Sequence, residues 1–551
     1  MAEPCGWMRP LLKPKSFGLT GKQGPEPNEC LPDNRRRNKQ RTTKDNMKLN
    51  QLILAGFAGL QFIFPAIAAD DTATNSTGVA QVAPASSAEA AEIESLKKEV
   101  QELEQKVSTL EQQAAPDTNH EQIQALDQKV RILERQRELD KDDAATLAKA
   151  QPRLTVGASG VTFGSTDTNF SISLHGLLQA DSRTFPADGG IKGNDGFILR
   201  RARPILSGTV FRDFDFLFVP DFGGSAVQIQ DAYLNYRYRP ELQLQAGKFK
   251  SPVGLEQLQS DPYTSFNERS LATDLVPNRD LGVELHGDLF GGAVSYAAAI
   301  LDGAPDYNGT TTNASYDDNK AFAGRLFVQP WKASDVAALA GLGFGLGGSY
   351  EVDRAATNTT ATGLTPGYTT DGQQKFFSYS SGVFANGTHW RLSPQAYYYY
   401  GPFGLLGEYV ISDQQVTKQA VGSPPSASAD LQNTAWDISA GWVLTGEDAS
   451  YNGVTPKHPF DPRNGHWGAW QIVGRYAGLN VDSKAFPTFA SSASSASSAR
   501  VWAVGLNWYL NKDIRVDTSF ARTIFSGYTG TTPAVAAQPE NVLFTRLQLA
   551  F

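Results

Sequence analysis

The chain has 551 residues, 40% of them hydrophobic and 11% aromatic, and 57 acidic side chains outnumber 49 basic ones for a net charge of −8. That balance excludes a general nucleic-acid binder, although it leaves room for a local positive channel. Apart from one stretch near the N-terminus, no apolar run reaches the roughly 18 residues of a membrane helix, while 51 Gly, 30 Phe and 19 Tyr suit β-structure.

Both cysteines (Cys5, Cys30) and all three methionines (Met1, Met8, Met47) lie near the N-terminus. From Met47, MKLNQLILAGFAGLQFIFPAIAA has the layout of a secretory signal. Lys48 is the positive region, Leu52 to Phe64 the apolar region, and Ala66-Ile67-Ala68 the small-x-small cleavage site. Residues 1–46 are therefore expected to be a start-site artefact or non-native extension and 47–68 the signal; the alternative is an unusually long basic leader. The exported remainder has no cysteine, so hydrogen bonding or lipid embedding has to supply what disulfides do not.

Residues 69–90, rich in Ala, Ser, Thr and Asp, read as a flexible linker. Ile93, Leu96, Val100, Leu103, Val107 and Leu110 then alternate three and four apart. Ala114-Ala115-Pro116 interrupts the pattern, and Ile123, Leu126, Val130 and Leu133 resume it in a new register. This predicts a coiled coil over 91–140. A single amphipathic helix lying on a globular domain is the plainer alternative.

From about Arg153 the period changes to two. Phe170, Ile172, Leu174 and Leu178 oppose Ser171, Ser173, His175 and Gln179, and similar alternation runs through Leu281–Leu289, Trp436–Leu444, Trp502–Leu510 and Leu543–Phe551. These runs reach nine residues or more, longer than the usual soluble strand of about 5–6 and suited to tilted membrane strands. Tight turns at Phe211–Phe214, Phe290–Gly292 and Leu510–Asp513 contrast with long polar excursions at 302–319, 352–375, 412–433, 446–466 and 483–499. Short turns on one side and long loops on the other predict an all-β transmembrane barrel of about 16 antiparallel strands over 153–551, preceded by the helical segment. The clusters Tyr397–Tyr400 and Trp508-Tyr509 suit interfacial girdles.

No enzyme signature is present. The six histidines (120, 175, 286, 389, 458, 466) show no metal-ligand spacing, and the glycine run 341–348 alternates with Leu342, Phe344 and Leu346 as a strand with small inward residues. No cofactor is expected. Two stretches could bind anions. FILRRAR, Phe197 to Arg203, places three arginines within four residues. Guanidinium forks onto oxyanions, but equally onto carboxylates, or remains solvated at a surface. The second, 247–283, begins as a strand and then abandons alternation for some thirty residues. It carries Lys248, Lys250, Arg269 and Arg279 beside Glu256, Glu268 and Asp280. Such a loop is either functional or an external loop laced with charge pairs.

FILRRAR with FRDFDFLFVPDF (211–222), IQDAYLNYR (229–237), GKFKSPVGLEQL (247–258), FNERSL (266–271) and RDLGVELHG (279–287) resembles the phosphate-selective porin O and P family. GPFGLLGEYV (401–410), GWVLTGEDASYNG (441–453), HPFDPRNGHWGAWQIVGRYAGL (458–479) and LNWYLNKDIRVD (506–517) are similar to its later blocks. The resemblance implies a homotrimer of sixteen-stranded barrels in outer-membrane lipid, passing phosphate-like anions through a basic constriction. Carried over by motif, Arg200, Arg201, Arg203 and Arg269 are the constriction cations, Lys248 and Lys250 lie in the funnel, and Asp231 is an inward carboxylate that tempers the site. A general porin of weak selectivity and an envelope tether acting through periplasmic or peptidoglycan contacts of the coiled coil are the rival readings. Strand parity adds a geometric condition. Arg201 and Arg203 share a face, so Arg200 points to lipid, at about 2–4 kcal/mol if at the midplane, unless a bulge, a subunit contact or the headgroups accommodate it.

Overall fold

The computed structural model describes residues 87–113, 120–150, 152–157, 160–186, 193–224, 226–306, 318–354, 365–420, 422–530 and 538–551. The expected signal, the N-terminal extension and most of the expected linker lie outside them. Two helices come first, α1 (Ser87–Gln113) and α2 (His120–Ala150). They cover both predicted helical stretches, but α1 takes in the last four residues assigned to the linker and α2 runs ten residues beyond the predicted end. Both extensions are rich in alanine, the best helix former. Along the described side chains, Val100, Leu103 and Val107 of α1 and Ile123, Leu126, Val130 and Leu133 of α2 are half-buried among exposed neighbours.

Twenty strands follow: β1 (Arg153–Gly157), β2 (Gly160–Gly164), β3 (Ser171–Thr184), β4 (Gly196–Val210), β5 (Phe214–Asp221), β6 (Gln228–Arg239), β7 (Leu242–Lys250), β8 (Arg279–Leu289), β9 (Val294–Leu301) and β10 (Ala321–Val328). The second half comprises β11 (Leu342–Arg354), β12 (Tyr368–Thr369), β13 (Lys375–Phe377), β14 (Val383–Tyr400), β15 (Phe403–Lys418), β16 (Ala427–Val443), β17 (Ala469–Asn480), β18 (Ser498–Tyr509), β19 (Ile514–Ser526) and β20 (Glu540–Ala550). Sixteen of these, β3–β11 and β14–β20, form a meander of antiparallel neighbours that β20 closes against Leu177–Thr184 of β3. Closure leaves no edge for lipid to meet, which a spanning sheet requires. The first residues of β3 pair instead with β2, the inner half of a β1–β2 hairpin.

Alternation decides which way each side chain points. On β3, Ile172, Leu174 and Leu178 are exposed while Gln179, Asp181 and Arg183 are buried. On β11, Phe344 and Leu346 face out and the intervening glycines face in, as the sequence pattern predicts. The outward face is apolar for lipid, and the inward face is polar. The aromatic clusters divide by the same parity. Tyr400 is half-exposed, Tyr397 and Tyr451 stack inside at 5.4 Å, Trp508 stacks on Trp470 at 5.0 Å, and Tyr509 is buried. Only part of each predicted girdle can therefore meet the interface.

The connections correct two expectations. Strands β15 and β16 continue to Lys418 and from Ala427, so most of 412–433 is strand; their polar outer ends keep the alternation going. The segment between β16 and β17, which contains 446–466, lies at the same end as the tight turns Phe211–Asp213 and Gly401-Pro402, not among the long loops. Polarity marks a segment as non-strand but cannot say at which end of the barrel it emerges.

Candidate functional site

The connection between β7 and β8 folds into the barrel. Val253, Leu255, Leu271, Ala272, Leu275 and Val276 are fully or almost fully buried. It includes a helical turn, Leu255–Leu258, and two short 3-10 turns. A loop buried this way carries main-chain polar groups that need partners, and the inward side chains of the wall supply them. Gln395 donates to the Val253 carbonyl (2.8 Å), Asn507 to Ser265 (2.9 Å), Arg515 to Thr264 (2.8 Å), Arg475 to Glu268 (2.9 Å) and Gln548 to Pro262 (3.1 Å). Arg475 also lies 4.4 Å over the Phe266 ring. Gly347 of β11 makes room for the approach: a Cβ there would stand 2.1 Å from the Val253 carbonyl oxygen. From the turn end, the segment before β17 rises to meet the loop, with the Tyr451 hydroxyl donating to the Leu255 carbonyl at 2.6 Å. From the other end, the β12–β13 hairpin covers it, its Thr369 amide donating to Asp274. The alternative of a wholly external loop is excluded.

FILRRAR lies on β4 facing the loop. In the β3–β4 ladder Gln179 pairs with Arg201 and Ala180 with Leu199, which leaves Arg200 as the extra residue of a bulge. The bulge turns Arg200 inward as well, where its Nε and Nη2 donate to the two Glu268 carboxylate oxygens at 2.6 and 2.9 Å. Arg201 donates to Gln179 Oε1 (2.6 Å) and lies 3.4 Å from Asp261. Arg203 bridges Asp221 (2.6 Å) and Asp261. Arg269, on the loop itself, donates to Asp261 at 2.6 Å and to the carbonyls of Glu256 and Gln259. Three guanidiniums thus meet one carboxylate.

Every sequence-predicted site residue falls in this neighbourhood. Arg200, Arg201, Arg203, Lys248 and Arg269 line a single cavity of about 470 Å³, together with Arg279, Asp261, Glu268 and Asp274. Asp231 holds Arg279 through two 3.0 Å bonds. Lys250 folds onto the loop and donates to the Gln259 carbonyl at 2.8 Å. Below the loop a second cavity of about 350 Å³ is lined by Pro262, Tyr263, Arg515 and Gln548. The two cavities adjoin at the Asp261-Pro262 step, which places Asp261 between the two ends of the barrel.

Positive groups outnumber negative ones here by a small margin. Six cations line the upper cavity, against five carboxylates that line it or pair with them: Asp221, Asp231, Asp261, Glu268 and Asp274. Burial pushes the Asp274 carboxyl well above the usual range. Burial alone would also raise Asp261 and Glu268. The Arg201, Arg269 and Arg203 guanidiniums hold Asp261 well below the usual range, and Arg200, with Arg546 and Arg201, does the same for Glu268. Arg200 is the most reachable of the three β4 arginines, with 28% of its side chain exposed against 7% and 8% for Arg201 and Arg203.

Sequence reasoning missed the residues that complete this network. Arg546 forks onto Asp181 at 2.6 and 2.7 Å, Arg183 reaches Glu268 at 3.1 Å, and Arg475 reaches Glu256 at 2.5 Å. It also missed a second network nearer the outer mouth, where Arg391 joins Asp306 (2.6 Å) and Glu351 (2.8 Å) beside buried His389. Strand parity could have flagged these positions as inward charges, but not their partners.

A family model described as phosphate-selective porin O and P matches residues 172–551. The chain belongs to that family. This porin is accordingly an outer-membrane β-barrel channel. Among solved structures, the outer-membrane channel DcaP of Acinetobacter baumannii is 11% identical, with a TM-score of 0.45, and the alignment covers 71% of this chain and 100% of that one. The anion-selective porin from Comamonas acidovorans is 11% identical at a TM-score of 0.43, covering 69% and 100%. OmpT of Vibrio cholerae in its trimer form is 9% identical at 0.42, covering 69% and 99%. No curated protein matches the chain.

Proposed function

We propose that the porin is an anion-selective diffusion channel whose preferred solutes are phosphate or polyphosphate. The observation that carries this reading is the cavity in which Arg200, Arg201, Arg203, Lys248 and Arg269 converge with a surplus of positive charge. Guanidinium forks there replace part of an anion's hydration shell. The carboxylates that share them keep any one site weak, and weak sites are needed because a tightly held ion blocks conduction. Asp261 acts as a tethered stand-in for the solute. It gathers Arg201, Arg203 and Arg269 as an oxyanion would, and a passing phosphate exchanges with it. The assembly is a homotrimer, and α1 and α2 form the coiled coil that sets its register.

In planar bilayers the porin is expected to pass chloride in preference to potassium, and phosphate is expected to reduce the chloride current. A cation-selective or phosphate-insensitive current would leave only a general porin of weak selectivity. The same preparation, sized with and without residues 87–150, reads out the trimer; an unchanged number of subunits removes the helices from that role.

A further inference from the structure

Away from the arginine cluster, on the opposite wall, three carboxylates meet. Glu256 comes from the helical turn of the loop, Glu408 from β15 and Asp437 from β16. Each is at most 4% exposed, and an oxygen of each lies within 4.8 Å of the others. That is the spread of oxygens around one ion held at about 2.3–2.6 Å. Glu408 and Asp437 are moreover direct cross-strand partners, a placement in which like charges destabilise a sheet.

The protein supplies too little positive charge to offset them. Arg475 contacts Glu256 at 2.5 Å and is shared with Asp371 at 3.6 Å. Hydrogen bonds satisfy the remaining oxygens unevenly. Glu408 accepts from the Leu255 and Glu256 amides (2.8 and 3.2 Å), and Glu256 Oε2 accepts from the Ser270 amide (2.8 Å). Asp437 has only a 3.3 Å bond from Ser439 to Oδ2, and its buried Oδ1 has no partner. A buried carboxylate oxygen left without a donor is costly, and apart from Glu408 Oε2, which also accepts from the Ser393 hydroxyl at 3.2 Å, each engaged oxygen keeps a second lone pair.

We infer that Glu256, Glu408 and Asp437 bind a hard divalent cation of the calcium type. Three carboxylates less one guanidinium leave two negative charges, which such an ion neutralises, and an all-oxygen ligand set suits calcium or magnesium over softer metals. The ion clamps the inward loop, through Glu256, to the wall at β15 and β16. It acts on the loop's rigidity and takes no part in conduction.

The test uses the full-length porin, refolded in zwitterionic detergent free of lipopolysaccharide and stripped with EDTA. Calcium chloride is titrated calorimetrically into the wild type and into the near-isosteric variants Asp437→Asn and Glu408→Gln, with magnesium chloride in parallel. The expected result is one more calcium per chain in the wild type than in either variant, and a calcium-dependent rise in Tm that both variants lack. Equal stoichiometry in all three proteins overturns the site. So does a wild type that ignores calcium and gains the same stability on acidification, since the three carboxylates would then be sharing protons. If neither variant folds, the wild type's Tm in EDTA against calcium decides alone.

Discussion

Asp261→Asn is expected to leave a porin that is less stable in chloride-free, phosphate-free buffer and is rescued by phosphate. The substitution keeps the side chain's shape and removes the charge that Arg201, Arg203 and Arg269 share. Removing one partner of a buried ion pair typically costs about 3–5 kcal/mol, because the other charge stays buried. Phosphate that binds the three unpaired guanidiniums at a hundred times its Kd returns about 2.7 kcal/mol. The variant's Tm therefore climbs with phosphate more steeply than the wild type's, and its bilayer current shows a higher anion preference and stronger block by phosphate. Acid does not reproduce this state in the wild type. Asp261 is held well below the usual carboxylate range, so its contribution is present above about pH 4, the unfolded value, and is lost only as pH falls through the depressed folded value. Equal phosphate dependence in the two proteins, with unchanged selectivity, would remove Asp261 from the role of internal counter-anion.

The second large effect is steric. Gly347→Val places a branched side chain where even a Cβ would stand 2.1 Å from the Val253 carbonyl oxygen. The loop backbone has to retreat and lose the bond from Gln395. Overpacking of this kind costs roughly 1–3 kcal/mol, and here the yielding element is the loop folded into the barrel. The variant is expected to show a larger single-channel conductance and a weaker anion preference. Leu346→Val, on the lipid-facing side of the same strand, is the control and leaves the conductance unchanged. A wild-type conductance in Gly347→Val would show that the loop does not set the pore's width.

The barrel was legible in the sequence because period-two alternation reports the two faces of a strand directly. The loop between β7 and β8 was legible as a long stretch that begins as a strand and then loses that period, but not its inward fold. Arg200 was readable as a geometric problem, and the bulge opposite Gln179 and Ala180 resolves it. The charge pairing was not legible. Arg203 and Asp261 are 58 residues apart, and Arg475 and Glu256 are 219 apart; nothing local relates them until the loop's path is known. The segment 446–466 was misassigned because an irregular polar stretch looks the same at either end of the barrel. Asp231 pairs with Arg279, a cation named in the 247–283 stretch but not among those carried over to the constriction.

The seam between β3 and β20 has a consequence for how the molecule forms. Asp181 and Arg546 are cross-strand partners 365 residues apart in the chain, both wholly buried as side chains, and Arg546 stands 3.6 Å from Glu268 of the loop. A half-assembled wall holds neither partner at its place, and a closed wall without the loop strands Arg183 and Arg546 beside a missing carboxylate. Each intermediate forgoes ion pairs that only the complete fold supplies. Cylinder closure and loop seating thus collapse into one cooperative event between the most distant parts of the chain. Unfolding followed by a fluorescent probe attached to the loop is expected to coincide with the loss of sheet signal. Two separate transitions would mean that the barrel can stand without its contents.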